Sequence, residues 1–101
     1  MIDRDALAEE LGFLREEIDL LMVLFEKNAR QSLSNMHEAI GRNDLEGVAE
    51  AAHAIKGIAG NLRMESVYTL ASEMNHKAKE GEERDYWADY QQLHALVEAQ
   101  L

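Results

Sequence analysis

The 101-residue chain contains no cysteine and no proline, and its aromatic residues number one tryptophan, three tyrosines and two phenylalanines. The absence of cysteine excludes a disulfide framework and any thiolate metal site. The absence of proline leaves no chain breaker stronger than glycine, which suits long helices joined by short turns. Basic residues are scarce, ten Lys and Arg against twenty Asp and Glu, for a formal net charge of -10. A field of that sign repels nucleic acid and anionic membrane surfaces and argues against both as partners. No apolar run approaches the roughly 18 residues needed to cross a bilayer, and the acidic N-terminus is unlike a charged-then-apolar signal, so a soluble cytoplasmic protein is expected. Neither internal repeats nor low-complexity segments are present.

The length fits one domain, residues 1–101, with a hydrophobic core that needs no staples. Asp3 caps a short leading helix running to about Leu11, and Gly12 interrupts it. A long second helix spans Leu14 to Ile40 with the stripe Ile18, Met22, Phe25, Ala29, Leu33, Met36 and Ile40, and Gly41 is its expected stop. Leu20, Val23 and Leu24 project away from that stripe. The leading helix, through Ile2, Leu7 and Leu11, is expected to cover part of them, and any remainder forms an apolar patch of the kind that marks protein interaction.

Asn43 and Glu46 have capping-box spacing at the start of a third helix ending near Gly60. A fourth begins near Met64, turns Met64, Val67, Ala71, Met74 and Ala78 inward, and stops at Gly81. The fifth starts around Glu82 or Glu83, with Tyr86, Tyr90, Leu93 and Val97 as its stripe. Trp87 and the five methionines are expected to fill the core. Short connections force neighbours to run antiparallel, giving an all-α, up-down-up-down four-helix bundle with a short extra N-terminal helix.

Within the third helix, Leu45, Val48, Ala52, Ile55, Ala59 and Leu62 recur at steps of three and four, and His53 falls off that face. At roughly 100° per residue its ring points about 130° from the stripe's centre, so burying the stripe exposes the imidazole. Ala49, Gly57 and Gly60 surround it with almost no side chain, and Lys56 is the nearest cation. Two glycines in a helix interior cost about 1 kcal/mol each relative to alanine, so something other than helix stability accounts for them. The simplest candidate is room for another molecule's backbone, or a phosphoryl group, close to His53.

His53-Ala54-Ile55-Lys56-Gly57, preceded by Ala52 and followed by Ala59-Gly60, resembles the signature of histidine-containing phosphotransfer (HPt) domains of bacterial two-component phosphorelays. The resemblance extends over nearly the whole chain. It implies that His53 is the phosphorylated histidine, Lys56 the cation near the phosphoryl group, and Gly57 the small residue that admits the partner. Asn75 falls where the family often has Gln or Glu, which implies a hydrogen bond that orients the imidazole. Arg63 stands where the family commonly has a second glycine, which bears on the turn between the third and fourth helices. Arg63, Lys77 and Lys79 are lesser candidates for helping to neutralise the phosphoryl charge.

A neutral imidazole nitrogen is a competent nucleophile without a separate base. On the family's pattern the phosphoryl group arrives from the aspartate of a receiver domain, whose Mg²⁺ and lysine supply most of the electrostatic stabilisation. The chain itself then needs no cofactor. The implied partners are response-regulator receiver domains and, upstream, a hybrid histidine kinase, and Leu20, Val23, Leu24, Ala49, Gly57 and Gly60 are the candidate docking residues. A monomer is expected, with no autonomous kinase activity: no glycine-rich nucleotide-binding segment is present. The phosphoacceptor helix pair of a histidine kinase is disfavoured because Ala54 follows His53 where an acidic residue is usual, and no proline follows.

Two other readings compete. Glu50-x-x-His53 and Glu73-x-x-His76 share the spacing of di-iron carboxylate bundles, but Glu50 and His76 lie about 170° from their apolar stripes and so face away from a core site. The other is a non-catalytic helical adaptor that binds signalling partners without carrying phosphate.

Overall fold

A computed structural model describes residues 2–101, so the expectation for Met1 lies outside the described residues. Five helices follow one another: α1 (Arg4–Leu11), α2 (Arg15–Gly41), α3 (Leu45–Asn61), α4 (Glu65–Lys79) and α5 (Tyr86–Glu98). No strand occurs among the described residues. At about 1.5 Å per residue, α2 alone runs about 40 Å. It therefore spans the long axis of a molecule measuring 42 × 19 × 18 Å.

α2 packs on α3, α3 on α4, α4 on α5, and α5 returns to α2, so these four helices close a ring around one core and form a helical bundle. Every residue of the α2 stripe expected from the sequence is buried, from Ile18 to Ile40. Val48, Ala52, Ile55, Ala59 and Leu62 meet it from α3 and its cap, and Met64, Val67, Ala71, Met74 and Ala78 from α4 and its cap. Gly47 lets the start of α3 lie tight against the end of α2, because a Cβ there would lie 2.9 Å from Ala39 Cβ and 2.7 Å from the Asp44 carboxylate.

Four helix ends share one device. Gly12, Asn43, Arg63 and Gly81 adopt left-handed φ between 55° and 72°. After each, the next N–H reaches a carbonyl five residues back: Phe13 to Ala8, Asp44 to Ala39, Met64 to Ala59 and Glu82 to Lys77. This is the Schellman closure, which satisfies carbonyls that the helix end leaves without a partner. It corrects two expectations. Gly41 is the last helical residue of α2 and Asn43 makes the turn, while Asp44 caps α3 by accepting from Gly47 N. Asparagine tolerates the left-handed region through its short polar side chain, so the stop moved two residues on.

α5 begins at Tyr86, capped by Asp85, three to four residues later than expected. The preceding loop is held by its own contacts: Tyr86 Oη donates to Glu82 O at 2.6 Å, and Arg84 Nε lies 2.9 Å from the Asp89 carboxylate. Trp87 is 41% exposed and does not fill the core. Its ring meets His37 edge-on at 4.9 Å on the outer α2–α5 seam, while its neighbour Tyr86 takes the buried position. The methionines at 22, 36, 64 and 74 are buried as expected.

α1 lies against α2 through Leu7 and Ala8, and ion pairs Arg4–Asp19 at 2.9 Å and Arg15–Asp5 at 2.7 Å hold it there. It does not shield the off-stripe residues of α2. Leu20 and Val23 are more than 60% exposed and Leu24 is nearly half exposed. The physical reason is that Leu7 joins the main core instead of folding over the outer face.

Candidate functional site

His53 is exposed at mid-α3, as its position off the apolar stripe requires. Its side of the helix forms one wall of a groove of about 480 Å³ between α3 and α4, lined by Glu46, Ala49, Glu50, His53, Asn75, Ala78 and Lys79. Ala49 and Ala78 are small and leave the floor open. Asn75 is 8% exposed, and its side-chain amide donates to Ala49 O at 2.8 Å, one turn before His53. The residue shares the groove with His53, and one N–H of its amide goes to the α3 backbone.

Gly57, one turn beyond His53, opens onto space: a Cβ built there meets nothing within 4 Å. Gly60 differs, since its Cβ would lie 3.2 Å from the Tyr68 ring, so its smallness seats a tyrosine instead of leaving room for a visitor. Lys56 is drawn to the same tyrosine, with Nζ 5.8 Å from the ring centroid, a cation–π distance. It does not line the groove. The lysine that does is Lys79 from α4.

Leu24 borders a second, mainly apolar depression of about 490 Å³ formed with Leu11, Phe13, Leu21, Ile58 and Asn61. Asn61, which lines this depression, lies one turn beyond Gly57 on α3. Leu20 and Val23 stand exposed on the same helix as Leu24, and Phe13 and Leu14 are exposed at its N-terminal end.

Sequence reasoning missed Tyr68, whose position outside the α4 stripe gives no sign that it covers Gly60. It also gave no groove role to Glu46 or Glu50. Both sit on the His53 side of α3 at intervals of about one and two turns, which is the signal that could have found them. Glu50 and His76 are exposed, and among the described residues no group of three or more His, Cys, Asp or Glu is arranged to hold a metal ion. No helix among them is long and apolar enough to cross a membrane.

No curated protein and no solved structure matches the chain. The family model of the Hpt domain matches residues 20–100, which takes in α2 from Leu20 onward and α3 to α5, and leaves α1 and the first turn of α2 outside. An exposed mid-helix histidine beside an open glycine, on a helical bundle matched over four-fifths of its length, places this chain in the Hpt domain family, whose members carry out histidine phosphotransfer in phosphorelays.

Proposed function

We propose that the chain is a phosphorelay intermediate that accepts a phosphoryl group on His53 from a receiver-domain aspartate and passes it to another receiver. The observation that carries this reading is the exposure of His53 next to the open backbone at Gly57. An imidazole nitrogen attacks the phosphorus of an aspartyl phosphate in line; the N–P bond forms, the P–O bond breaks, and the carboxylate keeps the electron pair. The reverse sequence delivers the group to the next aspartate. Mg²⁺ belongs to the receiver's site, so this chain supplies a positioned nucleophile.

Asn75, anchored to Ala49 O, fixes the α3–α4 spacing beneath the ring and orients the groove. Lys79 faces the incoming group across the groove, and Lys56 approaches from the Tyr68 side. The receiver docks over Gly57 and onto the apolar surface of Leu20, Val23 and Leu24, where burying exposed hydrocarbon stabilises the complex. Ala49 and Gly57 keep the α3 ridge low around the ring, while Gly60 seats Tyr68.

An up-down-up-down arrangement of α2 to α5 suits this role by fixing α3 and α4 side by side. Support comes from pairs that join opposite ends of neighbouring helices: Asn75 with Ala49, Tyr68 with Gly60, and His37 with Trp87. The chain acts as a monomer in the cytoplasm, where receiver domains and their hybrid kinases meet it. The test is phosphate uptake from a phosphorylated receiver domain, comparing wild type with His53→Gln. Acid-labile, base-stable phosphate that is lost in the variant is expected. A folded wild type that takes no phosphate from a broad panel of receivers favours the adaptor reading.

A further inference from the structure

The charges that share the His53 groove have the wrong sign for storing phosphate. Glu46 and Glu50 line it with a single cation, Lys79, and none of the three makes an ion pair within 4 Å among the described residues. Glu50 precedes His53 by three residues, which on a helix brings their Cβ atoms to about 5–6 Å. Glu46 lies one further turn back on the same side. Lys56, the cation the sequence motif supplies, is turned toward the Tyr68 ring outside the groove. Ala49 and Ala78 supply no polar group to screen the two carboxylates from the ring.

A phosphoryl group carries roughly -1.5 to -2 charge near neutral pH. Placed on His53, it meets two carboxylates and one ammonium within the groove, so each carboxylate raises the free energy of the phosphorylated state. When the N–P bond breaks, the electron pair returns to the imidazole nitrogen, the other ring nitrogen keeps its proton, and the new P–O bond carries the charge away on the receiver's aspartate. Repulsion is relieved whenever the group leaves the ring, whichever acceptor takes it.

We infer that Glu50, assisted by Glu46, sets the poise of the relay: the two carboxylates shorten the residence of the phosphoryl group on His53 and favour its departure from the ring. They act through the field at the ring and take no part in the bonds that form and break. This rests on His53 being the phosphoacceptor. The experiment uses phosphoramidate as donor and follows phosphohistidine on the intact chain by phosphorus NMR, both at steady state and during decay after the donor is removed. Glu50→Gln and Glu46→Gln are compared with wild type and with Glu9→Gln, which makes the same charge change on an exposed residue of α1.

Coulomb attraction and repulsion over such distances in water correspond to about two-fold to five-fold per removed charge at low ionic strength. The expected result is a phosphohistidine lifetime and steady-state level raised by that factor in Glu50→Gln, raised less in Glu46→Gln and unchanged in Glu9→Gln. The gain should shrink at about 1 M salt, where the Debye length falls to about 3 Å. A lifetime in Glu50→Gln equal to or shorter than wild type overturns the inference while leaving His53 as phosphoacceptor. Phosphate that also accumulates normally in His53→Gln overturns the functional reading itself, and the inference with it.

Discussion

The side-chain amide of Asn75 donates to the carbonyl oxygen of Ala49 over 2.8 Å, tying α4 to α3 one turn before His53. The bond is buried, and a typical internal hydrogen bond contributes about 1 kcal/mol net. Asn75→Ala should therefore lower the unfolding free energy by about 1–2 kcal/mol in urea titrations. An unchanged midpoint and slope would show that this bridge is not what holds the groove.

Gly57 and Gly60 should separate cleanly. A methyl group at Gly57 enters open space, so Gly57→Ala gains helix propensity and should stabilise the chain by about 1 kcal/mol. At Gly60 the same methyl lies 3.2 Å from the Tyr68 ring, and the tyrosine must give way. Gly60→Ala should gain clearly less, and equal gains in thermal unfolding would contradict the packing assigned to Tyr68.

A larger residue at the first of these positions tests access in place of stability. Gly57→Leu should fold at least as well as wild type yet lose most phosphate uptake from a receiver, because the side chain occupies the approach to the neighbouring ring. Uptake at the wild-type rate would show that Gly57 is not the point of access.

Arg63 occupies a left-handed conformation, φ 59°, that costs an L side chain about 1 kcal/mol and glycine almost nothing. Its contact with Glu10, 3.6 Å, is exposed and contributes little. Arg63→Gly should raise stability by about 0.5–1 kcal/mol, read from chemical denaturation. A loss of stability would mean that the contact with α1 outweighs the turn.

The exposed Arg30–Glu98 bridge joins α2 to the end of α5. The hydrogen bond from Arg30, and secondarily its charge, holds the Glu98 carboxyl below its ordinary range. With the folded value depressed, the unfolded chain binds more protons over that interval, so the stabilisation is complete above the usual carboxylate range and is lost as pH falls through the folded value. The thermal midpoint of Arg30→Ala should lie slightly below wild type at pH 7, and the gap should close on acidification below about pH 4. A gap independent of pH would assign the effect to packing of the arginine stem.

The burial pattern was legible because helical periodicity is a property of the chain itself: the α2 stripe, the inward α4 residues and the outward His53 all follow from spacing. What the sequence hid were choices made by local competition or by another helix. Asn43 took the left-handed turn that Gly41 was expected to make, and Asp85 capped α5 after a loop held by Arg84 and Tyr86. Tyr86 took the buried position its place in the α5 stripe calls for, and Trp87, one residue off that stripe, stayed on the seam although its bulk suited the core. In the site, His53, Gly57 and the open α3 ridge were visible. The turning of Lys56 toward Tyr68, and the commitment of the Asn75 amide to Ala49, depend on α3–α4 packing that no single-helix pattern contains.

The central claim is that His53 carries the phosphate. The chain has four histidines, at 37, 53, 76 and 94, and His76 is exposed as well, lying 3.5 Å from Glu80. The most direct measurement is to phosphorylate the wild-type chain with a phosphorylated receiver domain, digest it under alkaline conditions that preserve N–P bonds, and locate the phosphate by peptide mass spectrometry. The account predicts phosphate on the peptide containing His53 and on no other. Phosphate on the His76 peptide, or spread evenly over several histidines, would contradict it.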